Sequence, residues 1–168
     1  IVPGKSRRMP TPIPLPIEAQ AGAETITAAL RQAETDPRLA AIIFHVDSPG
    51  GSSLASDLIW RQVRRLRERK PVVVLMGGQA ASGGYYVAAA ANRIIARPTT
   101  MTGSIGIWGG KFVLGELYDK LEVGRQALQR GARADLYSEL RAFSPKERRY
   151  VRHELATHYA RFKEVVAT

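Results

Sequence analysis

The chain has 168 residues, 45% hydrophobic and 24% charged. This is one domain's worth of ordinary globular sequence, which excludes a disordered tail or a collagen-like chain. Cysteine is absent, excluding disulfide frameworks, cysteine zinc sites and thiol nucleophiles, and the net charge of +10 points to an anionic neighbour without specifying any chemistry.

No apolar run reaches the ~18 residues of a membrane span. The chain opens at Ile1-Val2-Pro3-Gly4 without Met or a signal peptide. It reads as a fragment, with any anchor expected outside it. Residues 1–22 read as a Pro-rich loop or linker after a truncated first strand. Proline at every second position from Pro10 to Pro16 forbids helix and favours an extended path. Residues 23–37 predict an amphipathic helix with Ile26, Leu30 and Ala33 on one face. Residues 39–47 predict a buried strand, broken by Ser48-Pro-Gly-Gly51. Residues 53–70 predict a second helix striped by Leu54, Leu58, Val63 and Leu66, with Pro71 just past its end.

Residues 72–76 predict a second buried strand. The small residues 77–84 then lead into a helix over 85–92. Short strands are expected at 93–97 and 103–107, a helix at 112–121, a strand at 124–129 and a loop at 131–143. Ser144-Pro-Lys-Glu147 fits a capping box with Pro at the first helical position, opening a long helix to about Val166. Helices alternating with short continuous apolar strands argue an α/β fold with a mainly parallel sheet.

Several motifs carry bland readings. Gly4-Lys5-Ser6 lacks the preceding strand and following helix of a phosphate loop. The basic run 61–70 has no interleaved aromatic for base stacking, and Val63 and Leu66 sit at core spacing. It reads as the solvated face of a helix, and nucleic acid is not expected as a partner. His153 and His158 fall on different helix faces, and His45 reads as a packed strand histidine rather than a ligand.

Three segments point to chemistry: Asp47-Ser-Pro-Gly-Gly51, Ala80-Ala-Ser-Gly-Gly84 and Thr102-Gly-Ser-Ile-Gly106. The first two follow predicted parallel strands, and ligands bind at the carboxyl ends of such strands. A Gly-Gly there bares backbone N–H groups, as an oxyanion hole requires. A serine between small residues at a helix start is accessible as a nucleophile. Packing of helix on sheet would also favour small residues at each segment taken singly.

VDSPGGS, MGGQAASGGYYVAAAANRIIA and TGSIGI together resemble the SppA-type signal peptide peptidases, serine proteases related in fold to Clp protease and crotonase. The resemblance runs from about Ala23 to the C-terminus, so residues 23–168 read as a serine-bearing peptidase domain. It implies a Clp protease/crotonase-like α/β fold of repeated ββα units, a mainly parallel sheet and a long C-terminal helix. Position by position, it implies Ser82 as the catalytic serine and Gly51 and Gly83 as the oxyanion-hole donors. Ser104 would supply the hydroxyl that positions the general base. The apolar Ile105, Ile107 and Trp108, read from their residue type, would wall the base and bind small or apolar substrate side chains. No cofactor or metal is implied.

The base in this family is a lysine. An ungapped count from Ser104 puts Ala134 where single-domain members carry it. None of the six lysines stands there. In the tandem form of the family, two halves share one site, the first giving the lysine and the second the serine, and ADLYSELRAFSPKERR resembles the second half. A single-domain enzyme with an engineered Lys-to-Ala change and a non-catalytic protease-like scaffold are the other readings. Crotonase-type acyl-CoA chemistry is a further one, against which the ASGGYY segment argues. The tandem reading implies, as partners, signal peptides or other membrane-associated peptides, the N-terminal half of the same protein, further copies in a ring-like oligomer, and a membrane surface. The location it implies is the extracytoplasmic side of a bacterial cytoplasmic membrane.

Overall fold

The computed structural model describes residues 1–8 and 19–167. The Pro10–Pro16 run lies outside them. On either side of it, β1 (Arg7–Arg8) and β2 (Ala19–Gln20) pair antiparallel, and Val2 bridges Gly22 in parallel. The described ends of the predicted linker thus make short β-contacts, because Ser6 and Arg7 reach across to Gly22 and Gln20 through side-chain hydrogen bonds.

Helix α1 (Ala23–Thr35) is followed by β3 (Ile42–Ser48), α2 (Ser53–Arg67) and β4 (Val72–Ala81). β4 is the spine of the sheet. β3 runs parallel along one side, with Phe44 opposite Val74. On the other side β5 (Arg93–Ile95) pairs with the first half of β4 and β6 (Met101–Gly103) with the last residues, both parallel. Every ladder in this sheet is parallel, as the alternating pattern predicts, and α2 makes the crossover from β3 to β4.

The core lies between one sheet face and the helices. Ala55, Ile59, Val63 and Leu66 recur at helical spacing along α2 and have no exposed surface. They meet Val72 and Val74 of β4, Leu30 of α1 and Val87 of α3 (Gly83–Ala88) in the same buried set. Each large side chain buried this way stabilises the fold by ~1.5–3 kcal/mol. Ser52 caps α2 by accepting from Ala55 N at 3.3 Å.

The basic run 61–70 lies on a largely exposed face, and several of its side chains are also paired. Arg65 and Arg69 pair with the buried Glu34 of α1 at 3.0 and 3.1 Å. Arg61 pairs with Asp57, Arg67 donates to Ala90 O, and Lys70 donates to Ala33 O and Asp36 O. Burial pushes the Glu34 carboxyl up, and Arg65, Gln62 and Arg69 outweigh it, so its pKa lies below the ordinary value.

Helix α4 (Gly115–Lys120) is shorter than the expected 112–121, because Leu114 N is drawn to Glu139 O at 2.8 Å. Residues 124–129 are not a strand. The Arg125 guanidinium folds back onto Gly115 O, Asp119 and the Tyr118 ring, and Leu128 is 89% exposed. Residues 131–143 form turns and loop, as expected. Helix α5 (Pro145–Val166) opens on the predicted capping box: Ser144 N donates to Glu147 Oε2 at 2.8 Å and Glu147 N to Ser144 Oγ at 3.3 Å. The backbone divides into two compact units, Ile1–Gly106 with Ala160–Thr168, and Ile107–Tyr159.

Candidate active site

β4 is longer than its apolar run because the Gly77-Gly78-Gln79 stretch continues it as a bulge. The register passes from Val46↔Met76 to Ser48↔Ala80, so three residues of β4 oppose Asp47 alone. Asp47 Oδ1 accepts from Gln79 N at 3.1 Å, and a β-carbon on Gly77 would strike the Asp47 carboxylate. Thr100 Oγ1 and Thr102 Oγ1 donate to Gly77 O and Ala80 O at 2.9 and 2.8 Å. The bulge re-aims the end of β4, which runs directly into Ser82.

Ser82 sits between β4 and α3 with φ 49° and ψ −118°, a left-handed conformation costly for a residue with a β-carbon. Ser82 N donates to Gly103 O at 2.8 Å and Ser82 O accepts from Tyr86 N at 2.9 Å. This sharp strand-to-helix turn leaves the side chain half-exposed, and its hydroxyl has no hydrogen-bond partner among the described residues.

The Ser48–Gly51 loop closes on this turn. At Gly50, with φ 116°, a β-carbon would lie 2.8 Å from both Gly83 N and Ser82 Cβ. At Gly83 it would fall on Ser56 Oγ and 3.2 Å from Gly51 N. At Gly50 only glycine permits both the backbone angle and the approach. The N–H groups of Gly51 and Gly83 have no acceptor among the described residues. Gly83 opens α3, where the first N–H groups lack intrahelical partners. The arrangement sets a half-exposed serine beside two backbone donors without acceptors among the described residues, the parts that a nucleophile with an oxyanion hole would need.

A model for Peptidase family S49 matches residues 64–168, and one for Clp protease matches residues 13–102. The chain belongs to peptidase family S49. It is 38% identical over 146 residues to the Serine protease SPPA, chloroplastic, of Arabidopsis thaliana, covering 86% of this chain and 22% of that protein. It is 39% identical over 147 residues to Protease 4 of Salmonella typhi, covering 87% and 24%. A Putative signal peptide peptidase SppA of Enterococcus faecium is 29% identical over 139 residues, covering 82% and 40%. The chain thus spans less than a quarter of the length of the first two relatives. Among solved structures, an enoyl-CoA hydratase from Mycobacterium avium subsp. paratuberculosis K-10 is 19% identical, covering 86% of this chain and 72% of that one, with a TM-score of 0.37.

The first unit of this S49 chain holds Ser82, Gly51, Gly83, Ser104 and Ile105. Ser104 and Ile105 were expected in a strand over 103–107. β6 instead stops at Gly103, because its partner β4 ends at Ala81 where Ser82 turns away. Ser104 follows with φ 51° and is exposed, so it leaves the ladder one residue beyond the Ala81↔Gly103 pair. Ile105 is 37% exposed.

Ile107, Trp108 and Ala134 belong to the second unit. Ile107 is half-buried and Trp108 is 92% exposed. Ala134 is exposed in a turn, its N–H donating to Gly131 O at 3.3 Å. It lines a hollow of about 530 Å³ with Leu128, Gln129 and Tyr150. Lys111, in the same unit, donates to Leu136 O at 2.8 Å and lies over the Phe143 ring. His45 pairs in register with Leu75, on the far side of the bulge from the Ser48↔Ala80 pair that precedes Ser82.

The three motif segments contain Asp47, Gly50 and Thr102 without assigning them individual roles, and Thr100 lies outside the segments. An acid and a proline flanking Ser48 before Gly-Gly was the available signal for Asp47, since such a pattern marks a turn that must be capped. The Gly77-Gly78 pair signalled a bulge. Among the described residues no helix is long and apolar enough to cross a membrane, and no group of three or more His, Asp or Glu residues is placed to hold a metal.

Proposed function

We propose that this chain is the serine-bearing part of a peptide hydrolase with a Ser/Lys dyad. Ser82 Oγ attacks the scissile carbonyl, and the N–H groups of Gly51 and Gly83 stabilise the oxyanion that forms. A lysine takes the serine proton and passes it to the leaving amine, giving an acyl-enzyme that water hydrolyses. That lysine comes from the N-terminal half of the same protein, and Ser104 orients it. Its amine must be neutral to act as a base, so burial against an apolar wall must lower its pKa from ~10.4. Residues 104–106 make no backbone hydrogen bond among the described residues, which leaves their N–H and C=O groups available to an extended peptide. Ile105, Ile107 and Trp108 suit small or apolar substrate side chains. The substrates are signal peptides or other membrane-associated peptides, cleaved by a ring-like oligomer. The enzyme works at the extracytoplasmic side of a bacterial membrane, held by an anchor outside residues 1–168.

One observation carries this reading: a strained, half-exposed Ser82 packed against a glycine loop, with the Gly51 and Gly83 N–H groups lacking acceptors among the described residues. A fluorophosphonate probe tests it on the full-length protein. The label is expected on Ser82 alone, and turnover should fall by at least ~10³-fold in Ser82→Ala. Labelling that survives Ser82→Ala overturns the assignment.

A further inference from the structure

Helix α3 is only six residues long, from Gly83 to Ala88, and Ser82 gives it no side-chain cap. A helix of this length does not hold itself, since nucleation is costly and few bonds follow. Yet its first residue must stay fixed against the Gly50–Gly51 loop while Ser82 is kept in a left-handed conformation. The restraint has to come from what α3 packs on.

Tyr86 is one turn into α3, and its N–H closes the first turn on Ser82 O at 2.9 Å. Its side chain is 4% exposed. The ring lies edge-on to Trp60 of α2 at 6.3 Å and against Phe162 of α5 at 4.9 Å. Its hydroxyl donates to Asp57 Oδ1 of α2 at 2.8 Å. Asp57 is held in turn: Arg61 Nε donates to Oδ2 at 2.5 Å and Arg161 Nη2 to Oδ1 at 3.4 Å. Arg161 also lies over the Trp60 ring, 5.0 Å from its centroid. Burial raises the Asp57 pKa, and the bonds and charges of Arg61, Tyr86 and Arg161 outweigh it, so the carboxyl stays ionised. Burial first, and then Asp57, hold the Tyr86 phenol above its ordinary range, so it stays a donor. A phenol donating to a paired carboxylate is a strong hydrogen bond.

We infer that Tyr86 is a positioning residue, which through Asp57, Arg61 and Arg161 locks α3 so that the Gly83 N–H and the Ser82 hydroxyl face one tetrahedral oxyanion. The inference rests on the peptidase reading of Ser82. Tyr86 touches no substrate. It acts by fixing the slope of α3, and it ties the last turns of α5 to the nucleophile's turn.

The test uses the full-length protein with Tyr86→Phe, Asp57→Asn, the double variant and Ser82→Ala. A peptide substrate gives kcat and KM. A peptide aldehyde, whose adduct with serine places an oxygen in the oxyanion hole, is compared with the matched peptide amide, which forms no adduct. Tyr86→Phe keeps the buried ring and should lower kcat about tenfold with KM within about twofold, since one charge-assisted bond is lost. Aldehyde binding should weaken about tenfold while amide binding holds, because the oxyanion donors alone have moved. Asp57→Asn should behave alike, and the double variant should be no worse than the poorer single one. Arg161→Gln, which leaves Tyr86 and Asp57 in place, should lose a smaller factor in the same direction.

Unchanged turnover and aldehyde affinity in Tyr86→Phe, with Ser82→Ala inactive, overturns the inference and leaves the peptidase reading standing. Equal weakening of aldehyde and amide overturns it too, since that marks a general loosening of the fold. Turnover retained in Ser82→Ala removes the peptidase reading, and the inference with it.

Discussion

The two compact units of the chain use their apolar residues in opposite ways. Of the 21 buried hydrophobic residues among those described, only Leu136 and Val151 fall between 107 and 159. That unit instead exposes Trp108 at 92%, Phe112 at 83% and Leu128 at 89%. The first unit sets a four-stranded parallel sheet, three helices and the end of α5 around one core, and its serine turn stands on that core. The second has two helical stretches joined by loops and holds its shape largely by polar contacts. Arg141, for example, bridges Asp135 and Glu147 at 2.7 Å each. Some fifty residues bury too little surface to stabilise a fold alone. The contrast separates a serine turn built on a packed core from a region whose large apolar side chains are exposed.

Beyond the loss of Ser82 itself, the largest effect should come from Gly50→Ala. The new methyl would meet Ser82 and Gly83 at 2.8 Å, at a backbone angle that alanine tolerates poorly. Turnover of the full-length enzyme should fall by about 10²-fold or more, as for loss of an oxyanion donor. Steady-state kinetics on a peptide substrate check this, and wild-type rates in the variant would detach the 48–51 loop from the chemistry.

Stability sharpens the same contrast. Ile59→Ala, in the core of the first unit, should cost ~2–5 kcal/mol, and Leu128→Ala in the second should stay within about 0.5 kcal/mol. Denaturant titration of both variants decides it. Comparable costs would mean that the second unit carries a core of its own. Hydrogen exchange should agree, with slow amides in β3, β4 and α2 and fast ones over 104–113.

The same division explains what could be read from the sequence. Where burial follows a simple period, as in Ala55, Ile59, Val63 and Leu66, the helix and its core face were legible. The strand Val72–Met76, the capping box at Ser144 and the glycine segments were legible too. The continuation of β4 through Gly77–Ala81 was not, because the bulge depends on Asp47 and two threonines distant in sequence. The strand expected over 103–107 failed for a long-range reason: Gly-Ser-Ile-Gly-Ile has a strand's pattern but loses its partner once Ser82 turns. The strand expected at 124–129 had suitable residues and no neighbour to pair with. Of the candidate site, the serine and the glycines announced themselves. The Tyr86–Asp57–Arg161 network did not, since nothing in a local pattern relates residues 57, 86 and 161.

A smaller effect concerns acid. Glu34 has a lowered pKa in the folded chain, so its stabilising contribution is present above the ordinary glutamate range near 4.5. It is lost as pH falls through the folded value. Its arginine partners are more than half exposed, so solvent screening keeps the contribution under ~1 kcal/mol. Glu34→Gln should lower the melting temperature slightly at pH 7, and the gap to wild type should close below about pH 4. A gap that widens in acid would reverse the assigned protonation state.

The smallest effect should follow Ala134→Lys, and its value lies in that smallness. Ala134 is exposed in a turn, so stability should change by no more than about 0.5 kcal/mol. Any new turnover then reports chemistry rather than folding. On the shared-site reading, the chain of residues 1–168 has a nucleophile and oxyanion donors but no base, and a neutral serine is a weak nucleophile. It should be almost inactive on peptides. An amine at position 134 should raise turnover above the Ser82→Ala background, by less than the ~10²-fold lower bound of effective general-base catalysis, because an exposed turn lacks the burial that most strongly lowers a lysine's pKa. For the same reason the gain should grow toward alkaline pH, as the amine deprotonates near ~10. Supplying the N-terminal half of the protein should give a larger gain, with activity extending to lower pH. If the unaltered chain alone hydrolyses peptides as fast as the complete protein, the shared site is wrong and a base within these residues must be found.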